Sequence, residues 1–116
     1  MARIMIVDDD RTTASLLETL LSLDGFEVIR VARGQDAIRR ATQDRPDIFL
    51  IDYHLSDMDA PEVVRHLRSV PEFTNTPIVV TSGMNVEQES LNAGATHFLI
   101  KPLEPSTLAD TLNSLL

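Results

Sequence analysis

Apolar and polar residues alternate along this chain in two rhythms, one of strands and one of helices. Arg3–Val7 is a short, mostly apolar run, and Arg11–Leu23 carries Ala14, Leu16, Leu17, Leu20 and Leu21 at helical spacing. Asp24-Gly25 supplies a stop, and Phe26–Val31 reads as a strand. Gly34–Thr42 returns to the helical period, with Ala37, Ile38 and Ala41 on one face. Asp47–Ile51 is a second apolar run, entered through Arg45-Pro46. Pro61–Val70 sets Val63, Val64 and Leu67 inward, and Pro61 suits a first helical turn. Ile78–Thr81 is a β-branched run after Pro77, and Asn85–Asn92 fits a short helix closed by Ala93-Gly94. His97–Ile100 is the fifth run, and Pro105–Leu116 a last helix with Leu108, Leu112 and Leu115 aligned.

Five strands therefore alternate with five helices. Continuously apolar strands need cover on both faces, which means helices on both sides of a parallel sheet. Right-handed crossovers then make the class doubly wound α/β. Ligands of such sheets sit outside the carboxyl ends of the strands, where the strand order reverses. Functional residues are expected at those ends.

Composition narrows the functions. At 116 residues the chain is the length of one domain, read as residues 1–116. Its 43% hydrophobic content argues against disorder. No apolar run reaches the ~18 residues of a membrane span, and the N-terminus lacks a signal-peptide pattern. Cysteine is absent, which removes disulfides, thiolate metal sites and cysteine nucleophiles, and a cytoplasmic location is expected. A formal charge of -8 repels phosphate backbones, so direct nucleic-acid binding is not expected. Nine of the ten basic residues are Arg; the single lysine is Lys101.

The strand ends hold the candidate chemistry. Strand one runs into Asp8-Asp9-Asp10, strand three into Asp52, strand four into Thr81-Ser82 and strand five into Lys101-Pro102. One acid, Asp10, is expected to cap the following helix. The remaining carboxylates repel one another unless a cation offsets them, and hard oxygen donors favour Mg²⁺ or Mn²⁺. A carboxylate beside such an ion can act as a nucleophile toward phosphorus. Lys101 would neutralise phosphoryl charge and the Ser82 hydroxyl would donate to it. The plainer readings are an ion pair of Lys101 with Glu104 and a turn role for Ser82. No Gly-x-Gly-x-x-Gly is present, which excludes the dinucleotide fingerprint.

Together, the acidic cluster, Pro46–Asp52, Pro77–Ser82 and Ala93-Gly94-Ala95 followed by Lys101-Pro102 resemble the receiver domain of two-component response regulators. The resemblance spans the whole chain and implies a flavodoxin-like strand order, 2-1-3-4-5. It implies that Asp52 is the phosphoacceptor. Asp8 and Asp9 would position Mg²⁺ (or Mn²⁺) with Asp52 and the backbone carbonyl of His54. Ser82 would be the switch hydroxyl, with Thr81 its neighbour on the other face, and Phe98 the switch aromatic. The Lys101-Pro102 bond is expected to be cis. The implied partners are a histidine kinase or histidine phosphotransfer protein, and a downstream effector protein or fused output domain. The output face would be helix four, strand five and helix five.

The sequence departs from the family at Ser56, mostly Pro elsewhere, and at Ala60, mostly Gly. The resemblance implies that His54 and Met84 stand at the two positions that flank the path of attacking water in the family. The Ser82–Lys101 stretch is about three residues short, nearly one helical turn. Helix four is therefore expected to be short, with Val86 and Leu91 as its inward anchors. Two other functions compete with the switch: a Mg²⁺-dependent aspartyl-phosphate phosphohydrolase, and an interaction module without phosphorylation.

Overall fold

The computed structural model describes residues 1–116. Five parallel strands form one sheet: β1 (Arg3–Val7), β2 (Glu27–Val31), β3 (Ile48–Asp52), β4 (Ile78–Ser82) and β5 (His97–Ile100), in the order β2-β1-β3-β4-β5. The helices are α1 (Arg11–Leu23), α2 (Gly34–Asp44), α3 (Ala60–Arg68), α4 (Glu87–Ala93) and α5 (Pro105–Leu115). The doubly wound, flavodoxin-like expectation is met. No helix is long and apolar enough to cross a membrane.

Alternation along each strand divides the core in two. Met5, Val7, Phe49, Ile51, Ile78 and Val80 face one side, under Ala37 and Ala41 of α2, Val63, Val64 and Leu67 of α3, and Ala93 of α4. Ile4, Ile6, Ile48, Leu50 and Val79 face the other, under Leu17 and Leu21 of α1 and Leu108 and Leu112 of α5. Each fully buried Leu, Ile or Val contributes about 1.5–3 kcal/mol. The central strands β1, β3 and β4 carry most of that burial, because only they have neighbours on both edges and helices on both faces.

Four local expectations are corrected. Leu16 stands 58% exposed, because the buried stripe of α1 runs through Ala14, Leu17 and Leu21 instead. Phe26 precedes β2 and is buried beneath α1 and α5 rather than in the strand; β2 itself is an edge strand, mostly half-exposed. α3 ends at Arg68, and Pro71–Phe73 forms a separate 3₁₀ turn that lowers Phe73 onto Phe49, ring centroids 5.4 Å apart. In α4 the inward residues are Ser90 and Ala93, with Val86 just ahead of the helix; Leu91 faces outward. Residues five apart cannot share a stripe, so Ser90, four from Val86, takes the inward place. Its hydroxyl is satisfied by donating to the Val86 carbonyl at 2.8 Å.

Candidate functional site

Sheet register assembles the site. Val7 pairs with Ile51, so the next residues, Asp8 and Asp52, leave adjacent strands side by side. This is the β1–β3 junction, where the strand order reverses. On the other flank of β3, Asp52 pairs with Thr81. Ser82 pairs with Ile100, and Lys101 follows, its N–H donating to the Ser82 carbonyl at 2.8 Å. Residues spread over ninety positions thus meet at one sheet edge because four parallel strands end together.

The three adjacent acids divide their tasks. Asp10 is the N-cap of α1 and accepts from the N–H groups of Thr12 and Thr13 at 3.0 and 3.2 Å, as expected. Asp8 is buried and accepts from the Asp10 N–H at 2.9 Å. Asp9 is exposed. Carboxylate oxygens of Asp8, Asp9 and Asp52 all lie within 4.8 Å of one another. Burial pushes the Asp8 carboxyl above its ordinary 3.8; the Asp10 N–H opposes this, and the Asp52 charge adds to it. Oxygen donors alone, three of them acidic and crowded, are a donor set for a hard divalent cation.

Lys101 completes the cluster. Its Nζ lies 2.9 Å from Asp52 Oδ1, so the alternative pairing with Glu104 is not the one formed. Burial works against the ammonium, but the hydrogen bond and charge of Asp52, with Asp8 and Asp10 beyond it, outweigh burial and raise its pKa above 10.5. The peptide bond between Lys101 and Pro102 is cis. Ser82 is buried, and its Oγ accepts from the Met84 N–H at 3.1 Å. That contact occupies a lone pair and leaves the hydroxyl proton free to donate. Phe98 is buried in the cluster that also holds Val86, Ala93 and Ala95.

The loop after Asp52, which holds Ser56 and ends at Ala60, is a small hairpin. The Ala60 N–H donates to the Tyr53 carbonyl at 2.7 Å and the Leu55 N–H to the Met58 carbonyl at 3.1 Å, while His54 and Asp59 form an antiparallel bridge. The His54 imidazole stands exposed, 3.4 Å from Asp59 and edge-on to Tyr53.

Two residues escape a reading of the sequence. Asp57 caps α2 from another element, and Arg68 donates to the carbonyls of Phe73, Thr76 and Gly94. The available signal for the first was Arg33, a poor N-cap, at the start of α2. No local pattern announced the second.

A family model described as the response regulator receiver domain matches residues 4–113. Protein PilH of Pseudomonas aeruginosa is 30% identical over 119 residues, a match covering 100% of this chain and 98% of PilH. Transcriptional regulatory protein PrrA of Mycobacterium tuberculosis is 34% identical over 117 residues, covering 98% of this chain but 49% of PrrA. The chain thus spans about half the length of that relative. Among solved structures, chemotaxis response regulator CheY4 of Vibrio cholerae superposes with a TM-score of 0.94 at 31% identity, covering 100% of this chain and 99% of CheY4. The receiver domain of a Pseudomonas aeruginosa sensor histidine kinase, solved with a magnesium ion coordinated in its active site cleft, gives 0.90 at 27% identity, covering 98% and 96%.

Proposed function

The chain belongs to the response regulator receiver family, and on that premise we propose that it is a phosphorylation-dependent switch whose phosphoacceptor is Asp52. The carrying observation is the contact of Lys101 Nζ with Asp52 Oδ1 beside the carboxylates of Asp8 and Asp9. It supports one site able to hold a divalent cation and to counter incoming phosphoryl charge.

Receiver domains are signalling domains that pair with histidine kinases. The proposed donor here is a phosphohistidine of a kinase or phosphotransfer protein. An Asp52 oxygen attacks phosphorus as the P–N bond breaks, and the electron pair leaves with the donor imidazole. Asp8, Asp9 and Asp52, with the His54 carbonyl, would hold Mg²⁺. Bound there, Mg²⁺ (or Mn²⁺) supplies charge neutralisation on the phosphoryl oxygens. Lys101 turns from the Asp52 oxygen to a phosphoryl oxygen, and Ser82 donates to another. A Ser82 drawn toward the phosphoryl group releases its hold on the Met84 N–H and so shifts the start of the segment that leads to α4. Asn85, Glu87, Phe98 and Ile100 line one shallow depression, and Phe98 also lines another with Leu103, Leu108 and Thr111, so movement of Phe98 reshapes the surface of α4, β5 and α5. That surface is the proposed output to an effector protein or a fused output domain.

Intact-mass measurement after acetyl phosphate and Mg²⁺ tests the reading. Gain of one phosphoryl group on Asp52 is expected. Steady phosphate release without accumulation would favour the phosphohydrolase, and no uptake would favour an unphosphorylated interaction module.

A further inference from the structure

The hairpin after Asp52 is anchored by a carboxylate that the phosphoryl chemistry does not use. Asp57 Oδ1 accepts from the Gly34 N–H at 2.9 Å, and Oδ2 accepts from the Gln35 N–H at 3.0 Å. These are the first two residues of α2, whose own N-cap, Arg33, offers no side-chain acceptor. The helix is therefore capped from across the fold, and one carboxylate meets two orphan N–H groups at the positive end of the helix dipole.

The same place shows a second, independent contact. A Cβ on Gly34 would fall 2.6 Å from Met58 Cγ and 2.8 Å from Val63 Cγ2. Met58 is thus pressed directly onto the backbone of α2, next to the residue that grips it. Asp57 and Ser56 form the tip of the hairpin, between Leu55 and Met58, which are joined by a hydrogen bond. Ser56 has no ring to fix its φ, so the turn is not stiffened by its own backbone. What holds the tip is α2. Desolvation opposes the Asp57 charge, but the N–H groups of Gln35 and Gly34 outweigh it and hold the carboxyl below its ordinary 3.8.

The arms of this hairpin reach the site. One arm leaves Asp52 through Tyr53, whose N–H donates to the Thr81 carbonyl at 2.8 Å, and carries the His54 carbonyl. The other returns through Asp59 to α3. A displaced tip would move both arms.

We propose that Asp57 is a positioning residue: its two-oxygen grip on the start of α2 fixes the Tyr53–Ala60 hairpin, and with it the His54 carbonyl and the Asp52 carboxylate at the cation site. The proposal rests on the function given above. It makes α2 a remote support for cation binding, although no residue of α2 reaches the site.

Asp57 also caps a helix, so the test must separate capping from positioning. Asp57→Ala removes both. Adding Arg33→Ser restores a local N-cap, because serine is among the preferred cap residues and Arg33 already has extended backbone angles. It does not restore the tether. Mg²⁺ affinity is measured on the full chain without phosphodonor, by amide chemical shifts at a temperature where every variant is fully folded. Urea midpoints are measured in parallel, with Arg33→Ser alone as the control. Asp57→Ala is expected to bind Mg²⁺ about tenfold more weakly, the size of effect usual for residues supporting a metal ligand. The double variant is expected to regain its urea midpoint but not its Mg²⁺ affinity. Wild-type affinity in either Asp57 variant would overturn the positioning role alone. Absence of Mg²⁺ binding by the wild-type chain would overturn the proposed function and this inference with it.

Discussion

Lys101 spends its ammonium on Asp52, 2.9 Å away, in the same place where an incoming phosphoryl group would compete for it. The pair is only partly exposed, with side chains 30% and 16% accessible, so solvent screens it incompletely. Lys101→Met should slow phosphoryl uptake from acetyl phosphate about a hundredfold, as expected for loss of one preorganised charge donor. Lys101→Arg should not rescue it, because a planar fork does not replace a compact, rotatable point charge. Asp52→Asn should abolish uptake while circular dichroism stays native. Uptake retained in that variant, with the label on Asp57 or Asp59, would overturn the assignment. Both Asp57 oxygens already accept hydrogen bonds, which makes it a poor nucleophile.

The acidic run makes a prediction for each of its members. Asp10→Ala should leave Mg²⁺ affinity unchanged and destabilise the fold by about 1 kcal/mol, the usual loss for an N-cap. Asp9→Ala should weaken Mg²⁺ binding at least tenfold. Relief of repulsion in the metal-free fold should come from Asp8, the buried member, whose charge is disfavoured by burial and by Asp52. Asp8→Asn keeps the oxygen that accepts from Asp10 and should raise the melting temperature of the metal-free chain by a few degrees. Calorimetry on the three variants checks all three outcomes.

Asp57 carries a pH signature. Its carboxyl is held below 3.8 in the folded chain, so folding favours the charged form. A lowered pKa contributes stability that is complete above the unfolded value and lost as pH falls through the folded one. The stability gap between wild type and Asp57→Ala should therefore be constant from pH 7 to about 5 and narrow below 3.8. Urea titrations across that window measure it. A gap that widens on acidification would contradict the depressed pKa.

Arg68 ties the end of α3 to the turn after α4. It donates to the Gly94 carbonyl at 2.9 Å and the Thr76 carbonyl at 2.7 Å, and also to Phe73. Arg68→Met keeps the bulk of the side chain but strands these acceptors. It should destabilise by about 2–4 kcal/mol, since each unmatched buried polar group costs about 1–3 kcal/mol before solvent relieves it. Amide exchange should accelerate most at Thr96, whose N–H donates to the Ile78 carbonyl. In the wild type, Glu87–Leu91 should exchange faster than Leu16–Leu21. α4 has only seven residues, an N-cap residue (Val86) with no side-chain acceptor, a single 3.3 Å bond from the Glu87 N–H to Asn85 Oδ1 and an outward Leu91, whereas α1 has thirteen and the Asp10 cap.

What could be read without coordinates follows from how local the cause is. The strand ends were legible because buried strands need apolar residues on both faces, so the first charge after each run marks the sheet edge. Asp10 was legible because a cap acts on its own helix. Asp57 and Arg68 were not, because each satisfies backbone groups of another element, and nothing in sequence spacing records that. Leu16 and Leu91 were placed inward for the same reason in reverse. Hydrophobicity says that a residue can be buried, and only the packing of α1 on β1 and α4 on β5 decides which side it takes.

The solitary lysine turns the site into its own spectroscopic label. Reductive methylation with isotopic formaldehyde keeps the positive charge of an amine and marks every lysine at once. In these 116 residues only Lys101 and the Met1 amine react, so the side-chain methyl spectrum holds a single signal, seated beside Asp52. Cation arrival and docking of a partner near β5 can each be followed as a shift of that one resonance. No residue need be replaced to obtain it.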